Sequence, residues 1–278
     1  MILIADSGST KTHWALIAPG GDVREFFSPG INPALCSPGE FKAALADALK
    51  GVSLPADCVI EYYGAGCLPE LCPVVEAILA EVTGCSHVAV HSDMLGAARS
   101  VCGPSPGIVA ILGTGSNSCY YDGSRILLNT PPLGYVLGDE GSGARLGARL
   151  LNGVLKGWLS PHIVEAFHSA TGLDKAAVIE HVYRRPEANR FLASMVPFIA
   201  DHIAEPEVAA MVTDEFTLFL ERNVVHAYPQ QLPLHTVGSV GAVFAPQLRQ
   251  AAVACSITVG NVVQRPMSGL ISFHSNRN

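Results

Sequence analysis

The chain of 278 residues is apolar and acidic, with 49% hydrophobic residues, 15% charged residues and a formal net charge of −7. That composition excludes a disordered chain, and the acidic balance argues against a broad nucleic-acid surface, which needs clustered Lys and Arg. No uninterrupted apolar run reaches the roughly 18 residues of a membrane span, and no basic–apolar–small-residue leader opens the sequence; a cytoplasmic protein with neither membrane nor nucleic-acid partners is expected.

Ile2–Ala5 reads as a short buried strand, Asp6–Lys11 as a turn, Thr12–Ala18 as a returning strand and Val23–Phe27 as a third. Phe41, Ala44, Leu45, Ala48 and Leu49 recur at helical spacing. Cys58–Tyr63 is a strand broken by Gly64-Ala65-Gly66, and Val74, Val75, Ile78, Leu79 and Val82 mark a helix. His87–Val90 is a strand leading through Ser92-Asp93 into a helix over Met94–Val101. After Cys102 the pattern restarts: Ile108–Leu112 is a strand, Gly113–Ser116 a glycine turn, Asn117–Tyr121 a returning strand and Arg125–Asn129 a third. ILIADSGSTKTHWALI and GIVAILGTGSNSCYYD thus form a weak internal repeat of apolar strand, Gly-Ser/Thr turn and strand. From Ser142 to about Leu232 the pattern is helical, with Leu146, Leu150 and Val154, then Met211, Glu215 and Leu218, repeating near 3.6. His235–Val237 is a strand, Gly238–Gly241 a turn, Ala242–Ala252 a helix, Ser256–Val259 a last strand, and Met267–Phe273 a short helix or strand. About 150 residues per domain suggests two compact units. The fold class is α/β, two lobes each a mixed sheet flanked by helices with a cleft between them: Met1–Cys102, Gly103–Arg265, and a terminal segment, Pro266–Asn278, returning to the first lobe. The eight cysteines show no CxxC pair and read as buried thiols, and the ten histidines show no metal-ligand spacing.

Three motifs carry chemistry. In Asp6-Ser7-Gly8-Ser9-Thr10-Lys11-Thr12, glycine and small hydroxyl residues let backbone amides approach a phosphate as an anion nest. It is not a P-loop, because a strand rather than a helix follows; an ordinary hairpin turn is the competing reading. Asp6, a carboxylate at the end of an apolar strand beside that nest, is placed for magnesium through water. Leu112-Gly113-Thr114-Gly115-Ser116-Asn117-Ser118 offers the same nest, and two such loops could clamp a polyphosphate. Gly134–Gly143 sets Asp139 and Glu140 between glycines before a long helix, as a ligand loop or as a capped helix start with Ser142 as cap.

These motifs in this order, with GSVGAVFAPQL downstream, resemble the actin-like ATPase superfamily of sugar kinases, actin and heat-shock chaperones. The branch they are most similar to holds N-acetylglucosamine kinases and BadF/BadG/BcrA/BcrD-type ATPases, over essentially the whole chain. The resemblance implies ATP and Mg2+ as cofactors. It implies Asp6 as the magnesium-orienting acid, with Gly8, Ser9 and Thr10 beside the phosphates. Lys11 is either a phosphate contact or a solvated turn residue. Gly113, Thr114 and Gly115 correspond to the second phosphate loop, and Gly238, Ser239 and Gly241 to the adenosine turn. Asn32, Ser116, Asn117 and Asp139 match sugar-contacting positions. Asp93 stands where the family's kinases place the catalytic base, although Ser92 or Asp93 would equally cap the helix that follows. The implied activity is phosphorylation of an amino sugar, N-acetylglucosamine at its 6-hydroxyl, by a protein whose partner is a small-molecule sugar and which is compatible with a homodimer. Two alternatives come from other classes. A BadF-type ATPase activator of a dehydratase needs a cluster cysteine, which His91–Arg99 lacks. A non-catalytic sugar sensor usually carries an added DNA-binding segment.

Overall fold

The computed structural model describes residues 1–8, 10–229 and 231–275. The chain divides into two compact units: residues 1–105, 123–125 and the segment from Pro266 form the first, and 106–122 with 126–265 the second.

The first unit runs β1 (Ile2–Ser7), β2 (Lys11–Ile17), β3 (Val23–Pro29), α1 (Pro38–Ala48), β4 (Val59–Gly64), α2 (Cys72–Thr83), β5 (His87–Ser92) and α3 (Asp93–Cys102). Its five-stranded sheet has the order β3-β2-β1-β4-β5. β1, β2 and β3 form an antiparallel meander, while β4 and β5 run parallel to β1. Side chains alternate across the sheet. Leu3 and Ala5 join Trp14, Phe41, Leu45, Tyr62 and Leu79 in one core. Ile4 points the other way, into a second core with Ala15, Ile17, Tyr63, Met267 and Leu270.

The second unit runs β6 (Gly107–Leu112), β7 (Ser116–Tyr121), β8 (Ile126–Thr130), α4 (Gly134–Leu137), α5 (Gly143–Lys156), α6 (Pro161–Thr171), α7 (Lys175–Tyr183), α8 (Ala188–Ala193), α9 (Val196–Asp201), α10 (Pro206–Leu220), β9 (Leu234–Val237), α11 (Ser239–Val243), α12 (Ala245–Ala254) and β10 (Val259–Val263). A single π-helical turn, Glu221–Val225, extends α10. The last helix, α13 (Met267–Ser275), belongs to the first unit. The second sheet, β8-β7-β6-β9-β10, repeats the first strand for strand and direction for direction. The repeat seen in the sequence is therefore a repeat of topology.

Three elements differ from expectation. Gly238–Gly241 opens helix α11 instead of forming a free turn. The last strand begins at Val259, not Ser256, because Ser256 adopts a left-handed φ of 58° and closes α12, with Ile257 N–H donating to Ala252 O at 2.9 Å. The third difference is α4, a short helix within the glycine-rich segment read as a loop. Among the described residues no helix is long and apolar enough to cross a membrane.

Candidate active site

In the first unit the acidic residues sit at the C-terminal ends of parallel strands, where open α/β sheets gather ligands. Asp6 is the fifth residue of β1, and strand alternation puts it on the same face as Ile4, the face covered by α3 and α13. Its neighbours across the sheet are His13 on β2 and Tyr63 on β4. Asp93 begins α3 at the end of β5. The two cap readings of that helix resolve in favour of Ser92, whose Oγ accepts Leu95 N–H at 3.2 Å with extended backbone at Ser92. Asp93 is thus the first helical residue, its Oδ1 accepting Met94 N–H at 2.8 Å.

Both carboxyls are pushed upward. Burial, and then the charge of Asp93, raise Asp6 from 3.8 to about 7. Burial also raises Asp93, against hydrogen bonds from the backbone at Met94 and Asp93. Two desolvated carboxyls, one of them raised further by the other's charge, are a built-in demand for a cation or a proton. Magnesium is commonly held by one or two carboxylates together with substrate phosphates, and this pair fits that requirement.

The first glycine loop is braced from below. Ser7 Oγ and Thr12 Oγ1 share a hydrogen bond of 2.8 Å, and Ser7 Oγ also donates to Ile31 O at 3.2 Å. Gly8 N–H donates to Lys11 O and Gly30 N–H to Thr10 O, each at 3.0 Å. Thr10 is exposed at the tip, and Ser9 lies outside the described residues. The Lys11 ammonium stacks 3.5 Å above the Phe27 ring, so its charge is directed onto β3. Asn32 is held by Ala34 N–H, which donates to its Oδ1 at 2.9 Å. Gly66, at φ 78°, passes so close beneath Asn32 that a Cβ there would lie 2.0 Å from Oδ1. The strand break at Gly64-Ala65-Gly66 therefore serves to seat Asn32.

In the second unit the loop Gly113–Gly115 ends β6, and the turn at Gly238 ends its parallel neighbour β9. Gly238 takes φ 130° with its Cα against Leu112; a Cβ would lie 2.2 Å from Leu112 O. Gly241 is buried against the Leu112 side chain, and Ser239 is exposed. Gly143 N–H donates to Gly113 O at 2.8 Å and Ala144 N–H to Thr114 O at 3.1 Å, which ties the loop to the positive end of α5. Ser142 caps α5 by accepting Arg145 N–H at 3.3 Å, as the cap reading of Gly134–Gly143 expects, and the cap leaves Asp139 and Glu140 outside the helix.

Asp139 adopts a left-handed φ of 55°, a conformation that aspartate tolerates better than most residues. Its carboxylate lies against Gly115, where a Cβ would come within 2.9 Å of Oδ2. Burial raises its pKa, against a hydrogen bond from the Ser116 backbone. The structure thus brings Gly115, Ser116 and Asp139 together. Asn117 Oδ1 accepts Ser118 N–H at 2.8 Å and Asn129 Nδ2–H at 2.9 Å, which fixes the orientation of its side chain.

Sequence reasoning missed the residues that hold this loop from behind. Glu215 is buried on α10, with Arg145 Nε at 3.7 Å, Arg149 at 3.6 Å and the Gly141 N–H at 3.5 Å. Glu140 pairs with Arg222 at 2.8 Å and accepts from Asn223 Nδ2 at 3.3 Å. Burial would raise the Glu140 carboxyl, but these partners hold it below its ordinary value. The legible signal was Glu215 itself, a charge on the apolar stripe with Met211 and Phe216.

Comparison with solved structures places this architecture. A protein of Porphyromonas gingivalis described as a candidate N-acetylglucosamine kinase is 44% identical, with 99% of each chain covered and a TM-score of 0.95. A similarly described protein of Chromobacterium violaceum is 21% identical over 98% of each chain, with a TM-score of 0.75. A ROK-family glucokinase from Streptomyces griseus, solved with glucose and AMPPNP, shares the fold at 14% identity and a TM-score of 0.56, over 99% of this chain and 98% of its own. No family model and no curated protein matches the sequence. With 44% identity over the full length of a solved relative, a doubled five-stranded sheet and the two glycine hairpins in matching places, the chain belongs to the N-acetylglucosamine kinase-like family of the actin-like ATPase superfamily.

Proposed function

We propose that the protein is an ATP-dependent kinase that phosphorylates an amino sugar, with the 6-hydroxyl of N-acetylglucosamine as the first-choice acceptor. The observation that carries this reading is the pair Asp6 and Asp93, two partly buried carboxyls at the ends of parallel strands, both raised by desolvation. The similarity to the Porphyromonas gingivalis protein supports the choice of sugar.

In this reading Asp93 orients the acceptor hydroxyl and accepts its proton as the oxygen bonds to the γ-phosphorus and the bond to the ADP oxygen breaks. A raised pKa suits that role, because a base works best when its pKa lies near the operating pH. Positioning and charge neutralisation carry most of the rate in phosphoryl transfer. Asp6 would hold Mg2+ through water, and the ion supplies neutralisation of phosphate charge. Gly8, Ser9 and Thr10 are assigned to the phosphates, as are Gly113, Thr114 and Gly115, with Gly238, Ser239 and Gly241 assigned to the adenosine. Asn32, Ser116, Asn117 and Asp139 contact the sugar. With its ammonium on Phe27, Lys11 is better explained as a bracket on the hairpin than as a phosphate ligand.

A coupled assay of ADP release across N-acetylglucosamine, glucosamine, N-acetylmuramate and glucose tests the reading. The expected result is magnesium-dependent turnover stimulated most by N-acetylglucosamine, with the phosphate located on the 6-oxygen by NMR. Failure of every sugar to stimulate turnover overturns it.

A further inference from the structure

The π-helical turn Glu221–Val225 has a consequence for the acceptor pocket. Asn223 lies in the last turn of the helical run, where carbonyls need partners from outside the helix. Ala227 N–H and Tyr228 N–H both donate to Val224 O, at 3.2 and 3.3 Å. Asn223 O accepts two strand hydroxyls, Ser118 Oγ at 3.0 Å and Thr130 Oγ1 at 3.1 Å. The Asn223 side chain turns the other way. Its Nδ2 donates to Glu140 Oε2 at 3.3 Å and to Phe219 O at 3.2 Å. Ser118 adjoins Asn117, and Glu140 adjoins Asp139. One residue therefore grips β7 through its backbone and the glycine-rich loop through its side chain. Tyr228 closes the cluster, its hydroxyl donating to Ser118 O at 2.7 Å and accepting Thr130 N–H at 2.8 Å.

We infer that Asn223 is a positioning residue for the acceptor, fixing Asn117 and Asp139 relative to each other from behind the pocket; this rests on the kinase reading above. A hydrogen bond to a buried carboxylate is stronger than one between neutral groups. Asp139 also touches Gly115, but the Gly113–Gly115 loop is held by the start of α5, so loss of the Asn223 amide disturbs the acceptor more than the nucleotide.

The test uses the full-length enzyme with Asn223→Asp, which keeps size and backbone but sets a second carboxylate against Glu140. The expected result is an acceptor KM raised about tenfold or more, as loss of a charged hydrogen bond implies, with Mg-ATP affinity changed less in titrations without sugar. The double variant Glu140→Gln/Asn223→Asp restores one donor and one acceptor between the two positions with polarity reversed, while losing the Glu140–Arg222 ion pair and the bond to Phe219 O, and is expected to recover part of the acceptor KM. A fold-stabilising role alone would move both substrates together. A wild-type enzyme that turns over a sugar, beside an Asn223→Asp enzyme with unchanged acceptor KM, or with Mg-ATP affinity weakened equally, overturns this inference alone. A wild-type enzyme that phosphorylates no sugar overturns the kinase reading and this inference with it.

Discussion

Asp6 is ionised in the folded protein only at a cost. Its carboxyl is raised by burial and by Asp93 from 3.8 to about 7, so the unfolded chain gives up this proton first. A group raised on folding withdraws stability as pH climbs from its unfolded to its folded value. For Asp6 the loss runs from about pH 4 to about pH 7 and is flat above. At about 1.4 kcal/mol per pH unit it reaches on the order of 4 kcal/mol. Asp6→Asn is therefore expected to melt higher than the wild type without ligand, by several degrees at pH 8 and by clearly less at pH 5, while losing magnesium-dependent turnover. Thermal melts at the two pH values check this, and an equal shift at both would show that Asp6 carries no such charge cost. Gain of stability with loss of activity is the expected trade at a functional residue.

The elements that carry these residues depend on a few glycines with no room for a methyl group. Gly269 on α13 lies so close to α3 that a Cβ would stand 2.0 Å from Ser100 O, and α3 is the helix that presents Asp93. Gly238 combines φ 130° with a would-be contact of 2.2 Å to Leu112 O. Backbone cannot yield as a flexible side chain can, and strain of this kind together with overpacking costs about 3 kcal/mol or more per site. Gly269→Ala and Gly238→Ala are expected to lower the urea midpoint sharply, and any folded Gly238→Ala protein to bind ATP more weakly. Gly20→Ala, where nothing stands within 4 Å, is expected to stay within about 0.5 kcal/mol of the wild type. Urea melts of the three variants side by side measure the contrast. These same elements show what the sequence makes legible. The hairpins at Asp6–Lys11 and Gly113–Ser116 stood out because an apolar run meets a Gly-Ser/Thr turn. The π-turn did not, because Glu-Arg-Asn-Val-Val carries no local signal: its geometry answers to Ser118, Thr130 and Glu140, each at least 80 residues away in sequence. Ser256 hid for the opposite reason, a non-glycine residue in the left-handed position where a helix end is usually announced by glycine.

At the scale of the whole molecule, each unit has its own core, one built around Leu146, Phe216 and Phe244 and the other around Trp14, Phe41 and Tyr62. Binding only to the folded chain raises its stability by about 2.7 kcal/mol at a ligand concentration one hundred times the dissociation constant. Mg-ATP is expected to raise the melting temperature measurably, and chelating the magnesium to cancel most of that gain, since Asp6 and Asp93 then face the phosphates without a cation. Differential scanning fluorimetry with and without EDTA checks this. The doubled fold was legible because both sheets begin with the same strand–turn–strand phrase. The glycine loops at Gly8, Gly113–Gly115 and Gly238 were legible because glycine spacing records a backbone shape. The partners that hold Glu140 and Glu215, among them Asn223, Arg222 and Arg149, were not, since buried polar partners are chosen by tertiary contact and leave no spacing to read. The central claim is that Asp93 accepts the proton of the acceptor hydroxyl, and steady-state turnover of Asp93→Asn, with both substrate affinities measured on the same folded preparation, tests it most directly. Ser92 already caps α3, so the amide leaves the helix intact. The account predicts turnover lower by about 10²–10⁴-fold with ATP and sugar affinities nearly unchanged; near-normal turnover would contradict it.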